Sequence, residues 1–219
     1  MTAEELETLF RVQTDDVVLD YLVSEESFLE YLNEAQQEAC IRSKLLFDRS
    51  SSITRLSTLT GVDSYVIDDS IYTIKEAFIT AANETTRLFI VDSIELDRLC
   101  PEWRQETGVP KYLIPYDDHI ELSPKPGDAY EIKLECYLVP DEISDTSMES
   151  ELQIKKIHHR KLLHWVKHKS YETQDNDILD KNKSLEELAK FERAFGFRPT
   201  AKYMKKQYAN IPKRNKVCL

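Results

Sequence analysis

The residues best suited to chemistry are the histidines His158, His159, His164 and His168, which fall within one stretch that reads as helix. His164 and His168 are four apart and share a helical face, the spacing of a helical zinc site and so of a metal-dependent enzyme. The metalloprotease pattern needs a glutamate directly after the first histidine. Trp165 stands there, and no third ligand of suitable spacing follows. The pair therefore reads as part of a basic, partly solvated face, with His158 and His159 at the start of the helix fixing it by hydrogen bonds. Asp175, Asn176 and Asp177, with Glu186 further on, copy a calcium loop superficially. Its fifth position is Leu179, however, and Asp180 replaces the required glycine, so these acids read as solvating a helix-to-helix connection. The adjacent acids Asp15-Asp16, Asp68-Asp69 and Asp117-Asp118 could form acid/base pairs. Each falls in an expected turn, where aspartate is favoured for bonding the local backbone. No histidine accompanies a serine or cysteine in a nucleophilic pattern. With only Gly61, Gly108, Gly127 and Gly196, no phosphate loop, dinucleotide fingerprint or nucleophile elbow can be assembled. The reading is a protein without catalysis and without cofactor or metal.

A second set of residues points to binding. Seven basic residues (Arg198, Lys202, Lys205, Lys206, Lys213, Arg214 and Lys216) and no acidic one occupy positions 198–219, with Tyr203 and Tyr208 interleaved. The chain has 29 basic and 40 acidic residues, so the first 197 carry 22 basic against 40 acidic, a net charge of −18. Aromatics among cations are a weak nucleic-acid signature. On so acidic a body, docking of this tail on an acidic protein neighbour is the better reading. A nucleic-acid-binding module acting through the tail is the alternative.

The elements that must position these residues alternate in type. Residues 24–47 read as a long helix capped by Ser24, with Phe28, Tyr31, Leu32, Ala35, Ala39 and Leu46 in one stripe. Thr2 and Glu5 form a capping box before a first helix, which the acids at 15–16 end. From residue 51 to 140, β-branched and aromatic residues alternate with polar ones. Strands are expected at 53–62, 64–68, 71–79 and 87–92. Ser93 should cap a helix over 94–104 that buries Ile94, Leu96, Leu99 and Trp103. A hairpin at 111–115 and 119–123 and a strand at 129–139 should complete an antiparallel sheet with one wet face. Residues 141–151 read as an acidic linker. A helix over 151–171 buries Ile154, Leu162, Trp165 and Val166. Ser184 and Glu187 form a second capping box before a helix that buries Leu188, Phe191 and Phe195 and ends at Gly196.

The expected fold class is α+β. A helical bundle of N- and C-terminal helices (1–50 and 141–197) carries an inserted antiparallel β-sheet or sandwich domain (51–140) and an extended C-terminal tail (198–219). Phe28, Leu32, Ala35, Ala39, Leu46, Leu162, Trp165, Leu188, Phe191 and Phe195 should form the bundle core. The isolated Cys40, Cys100, Cys136 and Cys218 suggest free thiols in a reducing compartment. No apolar run reaches the roughly 20 residues of a membrane span, and the acidic N-terminus does not read as a signal peptide.

Four segments in order carry a resemblance. The run Phe28 to Ala39, FLEYLNEAQQEA, resembles the N-terminal helix of tailed-phage head-to-tail adaptor (connector) proteins. Residues 95–104, ELDRLCPEWR, with TGVPKY at 107–112, are similar to that family's mid-chain helix and strand. HIELSP at 119–124 resembles its hairpin, and FERAFG at 191–196 the end of its C-terminal helix. The resemblance spans about residues 4–200 and departs from the pattern at 48–83. It implies a structural virion protein, assembled in the host bacterial cytoplasm and placed at the head–tail junction, or neck. Copies would form a ring, commonly a dodecamer, below the portal protein. The ring would extend the DNA channel used in genome ejection and receive a tail or nozzle protein. The basic residues of the tail would bind the portal or a neighbouring subunit. Double-stranded DNA would pass an acidic wall without specific binding, and no membrane is involved.

Overall fold

The computed structural model describes residues 1–173 and 179–200. In chain order these form α1 (Ala3–Thr14), α2 (Glu25–Ser43), β1 (Leu46–Asp48), β2 (Arg55–Ser57), β3 (Ser64–Val66), β4 (Ile71–Ala81), β5 (Glu84–Ile90) and α3 (Ser93–Leu99). They continue with β6 (Thr107–Gly108), β7 (Tyr112–Pro115), β8 (His119–Ser123), β9 (Lys125–Pro126), β10 (Glu131–Leu138), α4 (Lys156–Glu172) and α5 (Lys181–Phe195). The class is mixed α and β. The chain divides into a helical unit, Met1–Leu46 with Val139–Arg198, and a β unit whose described part is Phe47–Leu138. No described helix is long and apolar enough to cross a membrane.

In the helical unit, local chemistry sets the helix starts. The Thr2 hydroxyl accepts the Glu5 amide, and the Glu5 carboxylate accepts the Thr2 amide, each at 3.2 Å. Ser24 caps α2 by accepting the Ser27 amide at 3.1 Å, and Glu25 and Glu26 in the first turn complement the helix dipole. α2 stops at Ser43, earlier than the expected residue 47, because Lys44 turns into the left-handed region (φ 53°) and the next residues extend into β1. α4 starts at Lys156, not at 151: Glu151 bridges Thr2 as isolated β structure, and Ile154 is buried ahead of the helix. α5 starts at Lys181, three residues before the expected cap. Asp180 supplies the cap, accepting the amides of Asn182 and Lys183 at 3.1 and 3.0 Å, and Ser184 lies inside the helix. Gly196 closes α5 at φ 84°, where a β-carbon would be strained.

One apolar cluster joins residues of α1, α2, α4 and α5. Phe28, Leu32, Ala35, Ala39, Leu162, Phe191 and Phe195 are buried in it, Leu46 and Trp165 pack partly buried against it, and Leu188 is half-buried outside it. Rings carry much of the contact: Phe10 and Phe28 lie 5.4 Å apart, Phe191 and Phe195 4.7 Å, and Trp165 and Phe191 5.1 Å. Full burial of each such side chain contributes about 1.5–3 kcal/mol. Residues 141–151 are more than a linker. The Asn33 side chain donates to the Ile143 carbonyl and accepts its amide, both at 2.9 Å, and Met148 and Leu152 enter the core.

In the β unit, the sheet order is β1-β10-β4-β5-β7-β8-β3, with β2 also on β10. The long antiparallel pair β4/β10 sets Ile79 opposite Ile132 and Ala77 opposite Leu134, all buried. β4 and β5 turn through Ala82 and Asn83, both at positive φ (49° and 65°), the geometry a tight hairpin favours. The sheet is not wholly antiparallel as expected. β5 and β7 pair in parallel, Phe89 opposite Tyr112 and Ile90 opposite Leu113, with α3 in the crossover between them. β6 and β9 form a separate parallel pair. α3 is shorter than expected. Asp92, not Ser93, caps it, accepting the Ile94 amide at 2.9 Å, and it ends at Leu99, two residues before Pro101. Leu96 and Trp103 are buried, but Ile94 is 70 % exposed.

Candidate functional site

The histidines on α4 serve packing. His164 Nδ1 donates to the Glu187 carboxylate at 2.6 Å, and Lys190 holds that carboxylate's other oxygen at 2.8 Å. His168 is buried, and its Nδ1 lies 2.8 Å from the Ser184 hydroxyl and 3.2 Å from the Ser184 carbonyl. The Trp165 ring meets His168 edge-on at 5.4 Å. His164 and His168 thus both bond to α5; His164 stays partly solvated as expected, whereas His168 is buried. Their partners sit three apart on α5, at Ser184 and Glu187. The expected capping-box residues are therefore spent on α4, which explains why they do not start the helix. His159 is buried, its Nε2 donating to the Ile154 carbonyl at 2.6 Å, and the His158 ring packs 5.8 Å from Phe195. Among the described residues no group of three or more His, Cys, Asp or Glu side chains could hold a metal ion.

The Glu187 carboxyl makes this contact sensitive to pH. Burial disfavours its charged form, but hydrogen bonds from Lys190 and His164 outweigh burial and hold its pKa below the ordinary 4.5. A carboxyl with a lowered folded-state pKa contributes stability that is full above the unfolded value and is lost as the pH falls through the folded one. Glu187→Gln should therefore flatten the acid limb of a Tm-versus-pH curve below about pH 4.5, by under about 1 kcal/mol after solvent screening. An acid limb identical to that of the unmodified chain would contradict this.

One carboxylate of each adjacent pair also bonds locally. Asp68 accepts the Ser70 amide at 3.0 Å, and Asp118 pairs with His119 at 2.6 Å. Asp16 is buried and ion-paired to Arg11 at 2.7 Å. Of the calcium-like set, Asp175, Asn176 and Asp177 lie outside the described residues, and Glu186 pairs with Lys190 at 2.8 Å. Cys40 and Cys136 are buried, and burial pushes both thiols up to about 12, so neither is a nucleophile near neutral pH. Cys100 is disulfide-bonded, which corrects the expectation that all four cysteines are free thiols.

The beginning of the C-terminal segment is held by a cluster that sequence reasoning missed. Arg42, near the end of α2, donates to Glu38 at 2.8 Å and to the Gly196 carbonyl at 3.3 Å. Its guanidinium lies 5.2 Å from the Trp165 ring centre and 5.1 Å from that of Phe191. Ser43 donates to the Phe195 carbonyl at 2.7 Å, and Arg198 pairs with Glu38 at 3.1 Å. The four-residue spacing of Glu38 and Arg42 was the available signal. Lys202, Tyr203, Lys205, Lys206, Tyr208, Lys213, Arg214 and Lys216 lie outside the described residues.

The histidines of α4 and the buried carboxylates are held in packing and ion pairs, and the Arg42 cluster fixes where the cationic C-terminal segment begins. The family model of the SU10 adaptor protein matches residues 1–209. The chain belongs to the SU10 adaptor protein family, a family of phage head-to-tail adaptors, and so to the structural proteins of a virion. No curated protein matches the chain significantly.

Proposed function

We propose that the protein is a non-catalytic head-to-tail adaptor whose copies form a ring, commonly of twelve, below the portal. The ring extends the DNA channel and receives a tail or nozzle protein. The observation that carries this reading is the family match over residues 1–209. In it, residues 1–50 and 141–197 act as one helical bundle, residues 51–140 as an inserted β domain, and 198–219 as a cationic tail gripping the portal or a neighbouring subunit. Charge supports the assignment. A body of net charge −18 repels the phosphate backbone, so DNA passes without being held. The Arg42 cluster supports it too, because it fixes where the cationic segment begins.

Deleting residues 198–219 tests the reading. Compared with the full chain under reducing conditions, the shortened chain is expected to keep its helical circular dichroism and its melting temperature and to lose co-purification with portal rings. Undiminished association with portal rings would overturn the role given to the tail.

A further inference from the structure

The loop between α1 and α2, residues 15–23, is tied at both ends to one buried carboxylate. Asp16 accepts Arg11 Nη1 at 2.7 Å and the amides of Leu22 and Val23 at 2.9 and 3.2 Å. Arg11 Nη1 also donates to the Val23 carbonyl at 2.6 Å, and the guanidinium lies 3.9 Å over the Tyr21 ring. A short loop with its ends joined in this way is a fixed surface feature.

What the loop presents to water is apolar. Val17, Val18, Leu19 and Leu22 are 56, 75, 82 and 54 % exposed, and Val12 at the end of α1 is 66 % exposed. Exposed apolar side chains gathered on a fixed loop mark an interaction site. The chain around the loop is acidic, although Arg11 lies within it and Lys183 lines the cleft beside Leu22 and Val23. From Val12 to Ile41 the chain has eight acidic residues and no lysine or arginine, and Asp15, Asp20, Glu25, Glu26 and Glu30 are exposed. Its partner must be cationic and carry apolar side chains of its own. The C-terminal segment fits, with seven basic residues, no acidic one, and Tyr203, Met204, Tyr208 and Ile211 among them. With the cysteines reduced, the 19 residues after Thr200 can extend to about 60 Å, long enough to reach a neighbouring copy.

We propose that the C-terminal segment of one copy docks on the α1–α2 loop of a second copy, cations over the acidic rim and aromatics against Val18 and Leu19. This rests on the adaptor reading and names the receptor for its cationic tail.

The test uses the full chain with p-benzoylphenylalanine in place of Leu19, under reducing conditions, as an equal mixture of light and 15N-labelled copies. Irradiation is expected to join the loop to residues 201–219 in pairs of mixed isotope. Links only within one isotopic chain, links elsewhere, or no links at high protein concentration would overturn the proposal. A labelled peptide of residues 198–219 gives a second measurement. It should bind the full chain more weakly as salt rises, and about tenfold more weakly when Val18→Ser and Leu19→Ser are combined. Both positions are exposed, so the fold is kept; equal binding to the variant would overturn the docking. Portal co-purification separates the two ideas. If portals are still captured without any loop-to-tail link, the docking falls and the adaptor reading stands. If the unmodified chain captures no portal, the adaptor reading itself falls.

Discussion

Phe191→Ala is expected to lower the unfolding free energy by about 3–5 kcal/mol. Phe191 is fully buried, and its ring meets Phe195 at 4.7 Å and Trp165 at 5.1 Å. The loss is more than a transfer of apolar area back to water. A cavity opens between α5 and its neighbours, which the surrounding rings fill only in part. Arg42 also loses one of the two aromatic faces its guanidinium lies against. Against a total of about 5–15 kcal/mol for a typical domain, the change should move a urea midpoint well outside error. Leu185→Ala, on the same helix but 62 % exposed, is the control and should change stability by under about 0.5 kcal/mol. A Phe191→Ala chain within about 1 kcal/mol of the unmodified one would show that this ring does not anchor the helical core.

Arg11→Met is expected to cost about 3 kcal/mol and to open the α1–α2 loop to protease. The Arg11 and Asp16 side chains are 7 and 6 % exposed. Methionine keeps the aliphatic stem but leaves the Asp16 carboxylate buried with only two backbone amides. An unpaired buried charge is costly because little water can replace the lost partner. Glu7, which pairs with Arg11 at 2.7 Å from the other side, loses its cation as well. Adding Asp16→Asn should recover part of the loss, since the uncompensated charge is then gone. The cycle of two single variants and the double variant, followed by urea denaturation and by limited proteolysis between residues 17 and 22, measures the coupling. Strictly additive effects would mean that the pair does not act as a unit.

Features set by neighbours within a few positions were legible in the sequence. The Thr2–Glu5 box, the Ser24 cap and the β7/β8 hairpin each depend on residues close in the chain, and each forms where the sequence places it. Features decided by distant partners were not. α2 yields to β1 four residues early, because β1 joins a strand that begins more than eighty positions later. Ser184 and Glu187 satisfy the pattern of a capping box, yet His168 and His164 claim them from another helix. The parallel pairing of β5 and β7 leaves no local trace, since alternation in a strand says which face is wet but not the direction of its neighbour. The same limit applies to the candidate site. Basic composition made the C-terminal segment conspicuous, whereas the contacts of Arg42 required residues up to 154 positions apart to meet. The α1–α2 loop was not legible either, because nothing in its residue types says that Asp16 would be buried and its valines left outside.

The strands by which the chain enters and leaves the β unit, β1 and β10, lie side by side in one sheet. Such an arrangement gives the insertion a narrow base. A lineage can lengthen, shorten or exchange everything between those two strands by a single recombination event, without rethreading the helices that flank it. The β unit can thus diversify while the helical unit is inherited intact.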